Sequence, residues 1–393
     1  MNPSANGWVK KLLKLENETS VWINTDLERF YYKLRDVGFI YGSNIKTIKN
    51  GLSEEKLTEE EICKINFLLA LKFCYNDVLN NDDNGFVESV IDFYTQINAH
   101  KPSIFSEFLG ERKTTSLLET IIHKRIQIDD NIIERSFNYF ITNALLFIDV
   151  LAYQRFLQHD FISEDYIKHL ELAIETTVIE VLNIKEQKTK YDESLIELVE
   201  QSLRYNIDKK VELQDALSLV NIKLEKYYIV DIACMATWSD LNIDKNEESI
   251  LQDIGQLLEL DHAIITNSIN NIKLFYSSHK EKIALLSSKN IVKTFYSNSS
   301  KMVSKLISRN SKRLQKELRE SQELVKLLSQ STVRELSDDE QKKVQDQLLD
   351  IFKSIPSLAI FMLPGGALLL PLVIKFIPKL LPSSFDDNRI EED

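Results

Sequence analysis

The sequence predicts an all-α protein built as multi-helix bundle layers, and three observations carry that prediction. Glycine is scarce: the chain holds nine in 393 residues, about 2% against the roughly 7% of an average protein. From residue 111 to 254 there is neither glycine nor proline, whereas sheets joined by tight turns need such residues at short intervals. Apolar residues recur at three- and four-residue spacing over long stretches, as one buried helix face requires. A hydrophobic fraction of 44% supplies a core, and the length allows two or three domains of ~100–200 residues each.

Taken in order, residues 1–110 read as an N-terminal helical domain. Gly38, Gly42 and Gly51 mark turns, and Ser53-Glu54-Glu55 leads into an apolar stripe of Ile62, Ile65, Leu68, Leu69 and Leu71. The run from Asn80 to Gly85 reads as a loop, and Lys101-Pro102-Ser103 as the start of a short helix. Residues 111–205 read as a central long-helix region. Its first helix spans 115–128, with Leu117, Leu118, Ile121, Ile122 and Ile126 on one face and Asp129-Asp130 as its stop. The stretch 132–157 is apolar on more than one side, which predicts a central, buried helix. Helices over 170–184 and 191–203 follow. Residues 206–275 read as a compact module with helices over about 211–226, 228–238 and 249–258. A fourth begins near Ala263 after the turn Leu260-Asp261-His262. Residues 276–335 form a basic helical region and 336–393 a distinct C-terminal segment.

The same residues exclude much chemistry. No two glycines have the spacing of a phosphate-cradling or dinucleotide loop, and neither HExxH nor GxSxG occurs. Cys63, Cys74 and Cys234 are odd in number and form no CxxC, so they read as small buried apolar residues. The six histidines, His100, His123, His159, His169, His262 and His279, show no ligand spacing. Carboxylate pairs such as Asp129-Asp130 and Asp386-Asp387 read as helix-end residues facing the helix dipole. No catalytic residue and no cofactor are expected. Asp240, Asn242 and Asp244 mimic half of a calcium loop, but Lys245 and Leu251 stand where that loop needs Gly and Glu. Two readings stay open there, a helix-capping loop and a weak metal site. The N-terminus lacks the apolar stretch of a signal peptide, which places the body of the protein in the cytoplasm.

Charge is distributed unevenly. The formal net charge is −12. Residues 273–319 nevertheless carry twelve Lys or Arg against Glu281 and Glu317, a net +10. Such a block reads as a solvated helix face, as a contact for anionic lipid, or as a contact for ribosomal RNA. The residues placed in that contact are Lys293, Lys301, Lys305, Arg309, Lys312, Arg313, Lys316 and Arg319. Aromatic interleaving is slight, and no DNA partner is indicated.

Ser337-Asp338-Asp339-Glu340 is a capping box that opens a helix reaching to about 354. Residues 355–374 are uncharged, long enough for ~30 Å of straight helix, but three prolines and Gly365-Gly366 argue for a kinked or re-entrant path. The run Phe361-Met362-Leu363-Pro364, followed by Pro371, Lys375, Phe376, Pro378, Leu381, Pro382, Ser383 and Phe385, resembles the membrane segment of the LETM family. These are leucine-zipper and EF-hand transmembrane proteins of the mitochondrial inner membrane, with bacterial relatives. Pro356 and the run upstream to Leu336 resemble the helix that precedes that segment. The resemblance implies a non-enzymatic membrane protein linked to cation–proton exchange or to ribosome binding, its body held at the inner membrane. Gly365-Gly366 departs from the family pattern, no conventional EF-hand is present, and the chain ends eight residues after Phe385. That places most of the family's ribosome-binding domain outside it. The alternative is a soluble cytoplasmic stress-response interaction protein with the apolar tail buried in its own fold or in a partner. Residues 232–248, Ile232-Ala233-Cys234-Met235-Ala236 through Glu247-Glu248, more weakly resemble the TerB-like module of tellurite resistance.

Overall fold

The computed structural model describes residues 1–22, 25–52, 57–79, 82–100, 114–126, 132–184, 211–237, 243–279, 303–304, 306–308, 310–331, 334, 336–355, 358, 373–374 and 377. Among them every regular element is a helix, as the glycine count predicts. The chain divides into two compact units, one of residues 1–54, 59–128 and 137–289, the other of 55–58, 129–136 and 290–393.

The larger unit contains α1 (Trp8–Glu18), α2 (Leu27–Asp36), α3 (Glu59–Val78), α4 (Asp83–His100), α5 (Thr115–Ile126) and, from residue 137 on, α6 (Ile132–His159). It continues with α7 (Glu164–Ile184), α8 (Leu213–Ser218), α9 (Lys223–Thr237), α10 (Lys245–Leu257) and α11 (His262–His279). The five apolar residues assigned to one face of α5 are all buried. From Ala144 to Leu157, α6 buries almost every apolar side chain, as expected of a central helix.

Helix α3 departs from its single-stripe expectation, because it is buried on every side from Glu61 to Tyr75. A polar residue can stand on a buried face only when its hydrogen bonds are met within the protein. Here they are. Ser4 Oγ donates to Glu61 Oε1 at 2.6 Å, and Lys64 Nζ lies 2.7 Å from Glu60 Oε1. Asn66 Oδ1 accepts Ile48 N at 2.9 Å, while its Nδ2 donates to Lys46 O at 3.0 Å. Lys72 Nζ reaches Asp83 Oδ1 at 3.0 Å.

Two helix ends are built by unusual partners. At the C-terminus of α2, Gly38 adopts φ +85°. Its N–H donates to Arg35 O at 2.9 Å and that of Phe39 to Leu34 O at 3.0 Å, a Schellman closure that needs a left-handed residue. At the start of α1, Gly7 offers no side-chain cap. Glu119 of α5 substitutes, its two oxygens accepting Gly7 N and Val9 N, each at 3.0 Å.

Helix α9 packs on α7, α10, α11 and α2. At its centre Asp231 is fully buried, and loss of solvent pushes its carboxyl above the usual carboxylate range. Tyr31 of α2 donates to Asp231 Oδ2 at 2.5 Å, Arg35 Nη1 lies 3.6 Å away, and Arg35 Nη2 donates to Asn267 Oδ1 of α11 at 3.0 Å. One polar cluster thereby ties three helices together.

Several boundaries differ from expectation. The helix expected over 211–226 is broken at 219–222. There Ile222 N turns to Glu225 Oε2 at 3.2 Å and Asn221 Nδ2 to Leu219 O at 3.2 Å, local side-chain bonds that compete with helix continuation. α10 starts four residues early because Asp244 and Glu247 form a reciprocal capping box. The loop ending at Gly85 closes sooner, since Asp82 accepts Gly85 N at 2.8 Å and lets α4 begin at Asp83. The short helix expected at Lys101-Pro102-Ser103 and the helix over 191–203 lie outside the described residues.

All three cysteines are buried and free, and burial pushes each thiol well above its ordinary range. They are therefore held as thiols rather than as reactive thiolates.

Candidate functional site

The smaller unit contains α12 (Ser311–Glu320), α13 (Gln322–Gln330) and α14 (Asp338–Ser354). Its core draws Leu314 and Leu318 from α12, Leu324 and Leu328 from α13, and Val344, Leu348 and Phe352 from α14. Spacings of four residues put each set on one helix face. Ile355, Leu358, Val373 and Ile377 enter the same core, none more than 1% exposed.

That last observation bears on the expected lipid insertion of 355–382. At these four positions the apolar surface is already out of water within the protein, which removes the usual drive toward lipid. Among the described residues no helix is long and apolar enough to cross a membrane. A transmembrane helix is thus not supported.

The start of α14 matches its expected capping box. Ser337 Oγ accepts Glu340 N at 3.4 Å and Glu340 Oε2 accepts Ser337 N at 2.9 Å. Arg334 adds a two-point contact, Nη1 to Oε2 at 2.8 Å and Nη2 to Oε1 at 2.7 Å. Arg334, and after it the Ser337 amide, hold the Glu340 carboxyl down at about 2. A folded value below the ordinary 4.5 contributes stability that is complete above pH 4.5 and fades as pH falls toward 2. Amide exchange in the first turn of α14, normalised for intrinsic rate, is expected to quicken between pH 5 and about pH 3. Glu340→Gln keeps a capping side chain but not the ion pair, so its exchange is expected to be flat across that range. A wild-type profile equally flat would refute the coupling.

Of the basic residues singled out in the sequence, Lys312, Arg313, Lys316 and Arg319 are exposed on α12. At 100° per residue they occupy roughly one third of the helix circumference, facing away from Leu314 and Leu318. Glu320 is the one carboxylate within that arc, and half-buried Glu317 flanks it. Among the described residues no ion pair engages the four, nor the exposed Lys326 and Lys342, whereas two other cations of the unit are paired. Lys343 Nζ lies 3.2 Å from Glu323 Oε1 and Lys353 Nζ 2.6 Å from Asp350 Oδ1. Sequence reasoning found the basic block but missed this contrast. Only the Asp350–Lys353 pair, three residues apart on one helix, was open to it.

Lys293, Lys301, Lys305 and Arg309 lie outside the described residues. So do Pro356, Pro364, Pro371, Lys375, Phe376, Pro378, Leu381, Pro382, Ser383 and Phe385, together with Asp240 and Asn242. Asp244 is the N-cap of α10, its Oδ1 taken by Asn246 N at 2.7 Å and Glu247 N at 2.8 Å. Among the described residues no group of three or more His, Cys, Asp or Glu could hold a metal ion.

With this geometry in place, comparison with known proteins gives one result. The family model described as LETM1-like, RBD, a ribosome-binding domain, matches residues 336–393. The C-terminal segment of the chain is therefore LETM-like, and the match begins at Leu336, where the resemblance seen in the sequence begins; the matching model is that of the ribosome-binding domain, which the sequence reading places mostly outside the chain. The LETM1-like family is not an enzyme family. The match does not reach residues 206–275 and leaves the TerB-like resemblance unaddressed. No curated protein and no solved structure matches the chain.

Proposed function

We propose that this protein is a non-enzymatic, LETM-like attachment protein whose C-terminal unit docks on ribosomes. The observation that carries the reading is the ribosome-binding-domain match over 336–393. It falls in the same compact unit as the unpaired cations of α12. Burial of Ile355, Leu358, Val373 and Ile377 supports a docking unit with its own core over a lipid-inserted tail. Cation–proton exchange, which the same resemblance implies, would need a spanning segment, and no described helix supplies one.

Sedimentation through a sucrose cushion tests the reading. The full chain is expected to pellet with purified ribosomes at 50 mM salt and to be largely released at 200 mM. A chain that stays in the supernatant at both concentrations overturns it.

A second reading, attachment to an anionic membrane surface, is favoured by the net +10 over 273–319. Flotation with phosphatidylserine vesicles at low salt supports it, and no flotation removes it.

A further inference from the structure

We infer that the outward face of α12 binds the phosphate backbone of RNA through Lys312, Arg313, Lys316 and Arg319; this deepens, and rests on, the ribosome-docking reading. The first argument is availability. In this unit Arg334, Lys343 and Lys353 are each held by a carboxylate, while Lys326, Lys342 and the four on α12 are exposed with no such partner among the described residues; only on α12 do four such cations share one helix face. A helix whose apolar side is consumed by Leu314 and Leu318 has only this charged side left to offer a partner.

The second argument is spacing. Seven residues separate Lys312 from Arg319, about 10 Å of helix axis. Four cations over that length give roughly one per 3 Å, close to the ~3.4 Å per charge of one strand of a nucleic-acid duplex. A multi-charged polymer can meet all four at once and release its counterions, which a single free phosphate cannot do.

The third argument separates RNA from lipid. Helices that lie in a membrane surface carry large apolar side chains beside their cations and sink them among the acyl chains. The exposed large hydrophobic residues among those described, Leu27, Leu79, Phe161, Leu219, Leu257 and Leu274, all belong to the other unit. The α12 face thus carries charge without a wedge. With no aromatic side chain on α12 to stack on a base, the contact positions the polymer and does not read its sequence.

The test compares the full chain with a variant carrying Lys312→Gln, Arg313→Gln, Lys316→Gln and Arg319→Gln. A control variant carries Lys326→Gln and Lys342→Gln, exposed cations elsewhere in the unit. Circular dichroism checks that all three are equally folded. Each is titrated against fluorescent single-stranded RNAs of two unrelated sequences, against phosphatidylserine vesicles, and against ribosomes. Each phosphate contact contributes about 0.7 to the salt slope on single strands, so the four together account for roughly a 50-fold loss of affinity between 50 and 200 mM salt. The four-residue variant is expected to lose that dependence and bind both RNAs at least tenfold more weakly at 50 mM, with the control unchanged. Equal RNA binding by wild type and four-residue variant overturns the inference, and ribosome pelleting by both would leave the docking reading standing. Wild-type chain that binds RNA through these four residues but ignores ribosomes defeats the docking reading alone. Loss of vesicle binding with RNA binding intact overturns the inference in favour of a lipid contact.

Discussion

Replacing Gly38 by alanine is expected to cost the larger unit about 3–5 kcal/mol, enough to remove much of a typical domain's stability. Two penalties combine. The residue sits at φ +85°, where a side chain adds roughly 1–2 kcal/mol of strain. An added Cβ would also overlap Ser43 O and lie 2.6 Å from Phe275 Cζ. Ser43 O is backbone, and Ser43 N is itself bonded to Gly38 O at 3.1 Å, so the turn cannot open without losing its own closure. Phe275 also packs against Tyr41, ring centroids 4.9 Å apart. Gly51 provides the internal comparison, since its φ is +83° but nothing lies within 4 Å of its Cβ position. Gly51→Ala is expected to cost only the strain, about 1 kcal/mol. Denaturant midpoints for the two variants decide the matter: equal costs would mean that the crowding at Gly38 has no energetic weight.

Glu119→Ala is expected to destabilise by about 3–4 kcal/mol, a large effect for one side chain outside the apolar core. Its carboxylate accepts two amides at the start of α1, and the residue is 7% exposed, so water cannot readily take its place. A hydrogen bond to a charged group contributes about 1.5–3 kcal/mol, and a buried donor left without a partner adds its desolvation cost. The negative charge also faces the positive end of the α1 dipole. Glu119→Gln sharpens the expectation, because its amide has one acceptor and turns a donor toward the second N–H. It should recover no more than half of the loss. Amide exchange at Gly7 and Val9 should rise in both variants while that of α9 is little changed. Protection at α1 as strong in Glu119→Ala as in wild type would show that another group caps the helix.

These two sites show where sequence reasoning reaches and where it stops. Gly38 was legible as a turn residue, because a glycine after an apolar run is a local signal. Glu119 was not, because it lies 112 residues from the amide it caps and looks like any helix carboxylate. The face of α5 and the box at Ser337 and Glu340 were legible for the same reason as Gly38, each being written within one or two turns. α3 misled through Glu61, Lys64, Asn66 and Lys72. A polar residue in sequence says only that its group needs a partner, not whether water or protein provides it. At the candidate site the excess of cations on α12 could be read directly. That they lack carboxylate partners depends on where α13 and α14 place Glu323 and Glu340, and this only the folded arrangement reveals.

The shared interior of the C-terminal unit dictates how its tail can be probed. Ending the chain after Ser354 would strip Ile355, Leu358, Val373 and Ile377 from beneath the basic helix, each contributing about 1.5–3 kcal/mol when fully buried. Such a truncation would melt the scaffold that presents the cations, so a lost interaction would report collapse rather than a missing contact. Point changes on the outer surface leave that scaffold standing, and they are the sounder instrument for dissecting how this unit engages its target.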